Sequence, residues 1–335
     1  MSNSAQGPQV LLNLARPRGV QDPTTTAAAA VAAGVDGIGF ADSPRLFPDP
    51  FLAAARVLTE TSAAVSGPCV VGLGLHHPAV VAQALVTLAE QHPGRTMLAV
   101  ARGESSLHNE GLPVPSLAAY RSSLERLRER LDELSSQLSV GVGPVLGAAS
   151  GPRTIAVSAA ALGGVLLDVG TEPATIARAA AAARTAAPGT RCWLFIRAVV
   201  TATEEEAAAA AAPILGSCAA RLLRSPQWYD VPSEQVTSIG AVAAAHDYRR
   251  HGTAAAAGAR AVDPEIDALI CDRFMLTGSA EDITGRLQPL SRLGIEGIVL
   301  AGATAGIEQR LAPTTAAVRA GLETGTPDSP TVPTT

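Results

Sequence analysis

The sequence predicts an α/β fold, a TIM (β/α)8 barrel with a helical insertion before the last strand, on three observations. Eight short β-like runs alternate with alanine-rich stretches of helical length, which is how a parallel sheet wrapped by helices reads. Several of the runs are apolar on successive residues, as expected of strands covered on both faces. A chain of 335 residues with 47% hydrophobic content and a mean hydropathy of +0.23 can bury one large core, and barrels of this length form a single domain.

The runs fall at residues 10–15, 36–41, 69–73, 96–101, 142–148, 163–169, 191–200 and 296–301. Helices are expected between them at 27–33 after Pro23, 51–61 after Asp49-Pro50, 79–91 after Pro78 and 174–185 after Pro173. Proline in the first helical turn costs no hydrogen bond and presets φ, so these prolines read as starts. Residues 117–138 carry leucines at 117, 124, 127, 131 and 134 among Arg and Glu, the one-sided stripe of a surface helix. The rhythm breaks once, at 201–276, where two or three helices are expected, with Trp228, Tyr229, His246 and Tyr248 clustered among them. So long an excursion reads as a lid or substrate-shaping insertion in one domain spanning 9–323. Residues 1–8 and the tail 324–335 are small and polar, cannot repay their ordering entropy, and are expected to be disordered.

Composition removes several functions. There is no lysine, so all 25 basic residues are arginine, and a Schiff base, covalent pyridoxal phosphate and a Walker-A lysine are excluded. A net charge of −5, with no basic run longer than Arg249-Arg250, gives nucleic acid no footprint. Cys69, Cys192, Cys218 and Cys271 stand far apart without a CxxC pair, which suits reduced thiols better than zinc or disulfides. No signal-peptide pattern or apolar run of spanning length is visible, so the expectation is a cytoplasmic protein without membrane contact.

The most informative stretch is 78–110, PAVVAQALVTLAEQHPGRTMLAVARGESSLHNE: a helix, a Gly94-Arg95 turn, a strand and an Arg102-Gly103-Glu104 loop. It resembles the signature block of the bacterial luciferase-like superfamily, and most the branch using the deazaflavin coenzyme F420. Residues 34–42 (GVDGIGFAD), with Asp49-Pro50 and 59–61 (TET), resemble the family's second strand and next helix. Residues 146–152 (LGAASGP) and 274–300, through 278–282 (GSAED) and 294–297 (GIEG), resemble its later strand end and its close. The likeness covers most of 9–302 and leaves the insertion unexplained.

In a parallel barrel the C-terminal strand ends form one face, so Asp42, residues 69–73, 102–104, 149–151 and 168–170 should converge there. The resemblance implies that Asp42 contacts the deazaflavin; by its own chemistry it would cap a turn before Ser43-Pro44. Ser43 stands where some relatives carry a catalytic histidine, which disfavours a sugar-phosphate dehydrogenase. Cys69 and Val70 align with a non-prolyl cis peptide behind the ring, the plain alternative being a core cysteine in an ordinary strand. Glu104 aligns with an acid at the cofactor's reactive edge, where a closed apolar pocket would raise its pKa for proton transfer; its alternative is a helix cap. Arg102 would grip a phosphate or the coenzyme's acidic tail, or pair with Glu104. Gly103, Asn109, Ala149, Ser150 and Gly151 complete the implied cofactor wall. His76 and His77 read as a helix start at the rim, and no third ligand for a metal lies nearby.

The function so implied is hydride transfer between C5 of F420 and a small organic substrate, reducing a C=N or activated C=C bond. An FMN-dependent monooxygenase on the same fold is the alternative, and a non-catalytic flavin-binding protein the second. The expected partner is a small-molecule substrate, with a homodimer left open.

Overall fold

The computed structural model describes residues 7–15, 22–251, 253–258 and 263–323. Residues 1–6 and 324–335, for which disorder is expected, lie outside the described residues. The strands are β1 Gln9–Leu14, β2 Gly37–Phe40, β3 Val65–Gly72, β4 Leu98–Ala101, β5 Val145–Ala149, β6 Gly164–Leu167, β7 Arg191–Val200, β8 Met275–Gly278 and β9 Ile295–Ala301. The helices are α1 Pro23–Ala32, α2 Pro50–Glu60, α3 Pro78–Gln91, α4 Glu104–Glu110, α5 Leu117–Leu138, α6 Pro152–Leu162, α7 Pro173–Ala186, α8 Glu204–Ala211, α9 Leu215–Arg224, α10 Val236–Ala244, α11 Pro264–Phe274, α12 Ala280–Leu287 and α13 Leu311–Leu322.

Strands β1 to β7 pair in chain order, and β9 closes the ring between β7 and β1, every pairing parallel. This is the closed eight-stranded barrel, and each of its strands overlaps one of the runs read from the sequence. The ninth strand, β8, lies outside the ring and pairs only with the overhanging end of β7, residues 197–200. Strand β3 begins at Val65, earlier than its apolar run, because Ser66-Gly67-Pro68 hides the start; Ser66 Oγ bonds to the Ile38 carbonyl 2.8 Å away.

Alternation sorts each strand into two cores. Leu11, Cys69, Met97, Leu146, Leu166, Trp193 and Val299 fill the barrel, while Val10, Leu12, Leu14 and Ile38 face the helices. A Cβ on Gly297 would sit 2.4 Å from the Trp193 ring, so the glycine makes room for the largest interior side chain. The prolines stand at the starts of α1, α2, α3 and α7, where Asp22, Asp49, His77 and Glu172 accept bonds from first-turn amides, satisfying donors a helix start leaves open. Helix α5 buries Tyr120, Leu124, Leu127 and Leu131 in a second cluster with α3.

The insertion is more helical than expected: α8, α9, α10 and α11 occupy it, with short 3-10 turns between them. Pro213 splits what reads as one alanine-rich helix into α8 and α9, since proline cannot continue the ladder. Its two ends meet, for Thr201 N donates to the Gly278 carbonyl (2.8 Å) and Gly278 N donates to Thr201 Oγ1 (2.9 Å). No single helix among the described residues is long and apolar enough to cross a membrane.

Candidate active site

The C-terminal ends of the barrel strands surround a cavity of about 280 Å3. Asn13 reaches it from β1, Asp42 and Ser43 from the end of β2, Cys69 and Val70 from β3, and Arg102 to Glu104 from the loop after β4. Ala149 and Ser150 come from β5, Asp168 follows β6, Phe195 and Arg197 stand on β7, and Ala301 ends β9. Every residue predicted for the site lines this cavity except Gly151, which sits one step further on as the N-cap of α6.

The Cys69–Val70 peptide bond is cis, as the resemblance implied, and the pairing register between β3 and β4 shifts there. Burial, with the Asp168 charge adding to it, pushes the Cys69 thiol up to about 12. It is therefore a protonated wall residue and not a nucleophile.

Asp42 is anchored rather than free. Its Oδ2 accepts from Gly72 N (3.2 Å) and from His76 Nε2 (3.0 Å), and its carbonyl accepts from Ser106 Oγ (2.8 Å). The bond to Asp42 raises the His76 pKa against the opposing effect of burial, so His76 orients an acid of the cavity wall and is more than a helix start.

Glu104 departs from its expected surroundings. A closed apolar pocket was anticipated, but its carboxylate stands between two guanidinium groups, Arg102 at 3.3 Å and Arg224 in direct contact. Arg102 also donates to the Pro115 carbonyl at 2.7 Å, which ties down the loop leading to α5. Gly103, at φ +87°, lies against Gly72, and a Cβ there would come within 2.9 Å of the Gly72 Cα. Only glycine fits both the left-handed backbone and the close approach.

The insertion covers one side of the cavity. Ser217, Arg221 and Arg224 of α9, with Tyr248 and His251 beyond α10, line it. Tyr229 donates to the Ser150 carbonyl (2.6 Å) and Asn109 Nδ2 to the Tyr248 carbonyl (3.0 Å), joining insertion to barrel on two sides. Asp168 receives Arg197 through both oxygens (2.8 and 3.3 Å) and Arg221 at 2.5 Å. Burial alone would raise the Asp168 pKa, but the two guanidinium groups override it and hold the carboxyl at about 2. His246 Nε2 and His251 Nδ1 lie 3.0 Å apart. Burial, then the neighbouring His246, Arg221 and Arg197, depress His251 to about 3, so the pair is neutral at pH 7.

Sequence reasoning missed Asn13, Arg197, Arg221, Arg224 and His251. Arg197 carried a signal, a charge inside an apolar barrel strand. Arg221 and Arg224 were legible as a pair three apart on one helix face, though nothing pointed that face at the cavity. Among the described residues no group of three or more His, Cys, Asp or Glu could hold a metal ion.

Fold and site define a (β/α)8 barrel whose C-terminal face holds a cavity lined by apolar, polar and charged side chains. Residues 13–139 match the family model of the luciferase-like monooxygenases, so the luciferase-like resemblance holds over that part of the chain. No curated protein matches in sequence. Among solved structures, coenzyme F420-dependent tetrahydromethanopterin reductase from Methanopyrus kandleri is similar with a TM-score of 0.68 at 16% identity, over 94% of this chain and 98% of that one. An F420-dependent secondary alcohol dehydrogenase in complex with an F420-acetone adduct gives 0.64 at 16%, over 93% and 99%. The oxygenating constituent of 3,6-diketocamphane monooxygenase from the CAM plasmid of Pseudomonas putida, in complex with FMN, gives 0.59 at 17%, over 94% and 99%. At such identities the likeness is one of fold.

Proposed function

We propose that this chain is an F420-dependent oxidoreductase that moves a hydride between C5 of the deazaflavin and a small organic substrate, reducing a C=N or activated C=C bond. The observation that carries the reading is a set of unpaired polar atoms around one cavity. Asn13 Oδ1, Ser43 Oγ and Asn109 Oδ1 are buried and have no hydrogen-bond partner among the described residues, in residues only 7%, 6% and 7% exposed. Each such atom costs about 1–3 kcal/mol if it stays unpaired, and all three belong to residues that line the cavity, which suits a ligand with a polar edge. Cys69, Val70 and the alanines at 41, 101, 148, 149 and 301 supply flat apolar wall between them. A planar ring with polar atoms on its rim suits this set.

When bound, the coenzyme supplies the hydride chemistry. Asn13, Ser43 and Asn109 hold its polar rim, and Cys69 and Val70 cover an apolar face. Asp42, fixed by Gly72 and His76, sets the edge of the cavity. Glu104 holds or moves the proton that accompanies hydride, once its carboxylate is released from Arg224. The insertion keeps water from that side. Asp42, Cys69–Val70 and Gly103-Glu104 together favour F420; the FMN-bound relative of the same fold supports the monooxygenase alternative.

Purified protein should quench F420 fluorescence saturably and bind FMN only weakly. Tight FMN binding with oxygen-dependent turnover would move the assignment to the monooxygenase.

A further inference from the structure

In a chain of net charge −5, the cavity lining is cationic on balance, with Arg102, Arg197, Arg221 and Arg224 against Asp42, Glu104 and Asp168. A concave site of one sign draws in ligands of the other. The cations differ in availability. Arg197 is 3% exposed and fully engaged with Asp168. Arg102 is divided between Glu104 and the Pro115 carbonyl. Arg221 reaches Asp168 with one terminal nitrogen and the Ser217 carbonyl with the other. Arg224, with half of its side chain exposed, meets Glu104 through Nη1.

We propose, resting on the reading of this cavity as an oxidoreductase site, that the substrate carries a carboxylate, which takes the place of Glu104 on Arg224 with Arg221 beside it. Glu104 is then an internal stand-in for the substrate's anionic group. Guanidinium groups match carboxylates in a planar, two-point geometry, and the Glu104–Arg224 pair is reached by solvent, so exchanging one carboxylate for another loses little. The exchange also frees Glu104 for proton transfer only when substrate is present. Both arginines stand on α9, in the part of the chain that the luciferase-like resemblance does not cover.

The test is calorimetric titration of the full chain with acetate, succinate and benzoate, each beside its uncharged amide, with and without saturating F420. At least one acid should bind tenfold or more tighter than its amide, with F420 bound as well as without it. Arg224→Gln should erase that preference and Arg224→Lys restore part of it. Glu104→Gln should act oppositely, tightening the acid several-fold because the internal competitor is gone; a general loss of structure would weaken binding in both variants. The proposal is overturned if no acid outbinds its amide or if Glu104→Gln weakens binding. It is also overturned if F420 displaces the acid while its phosphate-free core does not, since the arginines then hold the cofactor's phosphate. Acid binding that persists in a protein unable to bind F420 would count against the cofactor reading alone.

Discussion

Asp168 and Arg197 form the most enclosed ion pair of the cavity, and neither tolerates the loss of the other. Asp168→Asn would leave the Arg197 guanidinium buried at 3% exposure without its carboxylate, a loss of about 3–5 kcal/mol readable as a lowered urea midpoint. Arg221→Gln, at a side chain 22% exposed, should cost clearly less; equal losses would mean that Arg197 is not the residue at stake. Asp168 is held at about 2 against 3.8 ordinarily, so its contribution is present above pH 3.8 and disappears as pH falls through 2. Glu104→Gln should slow turnover by about 10²–10⁴-fold, the usual range for a general acid or base, while F420 affinity changes little. Unchanged turnover would make Glu104 a latch for α9 and nothing more. The predicted residues were legible because strand ends in a parallel barrel must converge. The environment of Glu104 was not, because Arg224 lies 120 positions away on a helix whose orientation no local pattern encodes.

At the level of elements, the segment that follows α10 is the one most exposed to acid. His251 carries a folded pKa of about 3 against ~6.5 in an unfolded chain. The groups acting on it are His246 in the same segment, Arg221 on α9, Arg197 on β7 and, in the opposite sense, Asp168 after β6. Between pH 6.5 and 3 the unfolded state therefore binds a proton that the native state refuses, and stability falls by up to ~1.4 kcal/mol per pH unit. Above pH 6.5 this effect is absent. Urea midpoints at pH 7.5 and 5.0 should differ in the native chain and differ less in His251→Asn, with His246 and His92, also depressed by burial, left to titrate; an undiminished difference would place the titrating group elsewhere. The loop after β4 makes a second element-scale case. Gly103→Ala forces a Cβ to within 2.9 Å of Gly72 at φ +87°, so a loss above ~1 kcal/mol is expected, together with weakened F420 quenching because the loop carries Glu104. The helix starts at Pro23, Pro50, Pro78 and Pro173 were readable from short-range chemistry alone. Strand β3 was only half readable, since its first residues are set by pairing with β2 rather than by their own apolarity.

Across the whole molecule, the ring of eight strands followed from alternation and successive apolar residues, because those patterns are imposed by the two-sided burial of every barrel strand. The extra strand and the fourth helix of the insertion did not, since they answer to contacts made with β7 and with α9 rather than to any repeat. Barrel closure runs through β7 and β9 and does not involve β8. The insertion leaves the ring at Thr201, and the end of the extra strand that follows it comes back against β7 at Gly278, two residues bonded to each other. A segment fastened at its root can lengthen or shorten at a loop-closure cost that grows only logarithmically, about 0.6 kcal/mol per doubling. The stretch between those residues is in this sense an exchangeable cassette. A chimera carrying the corresponding stretch from another barrel of this type should keep F420 binding while its preference among acids and amides changes, and loss of both together would show that the two cannot be inherited apart. Substrate choice could thus drift across descendants of this chain while the machinery on the other strands stayed under separate selection.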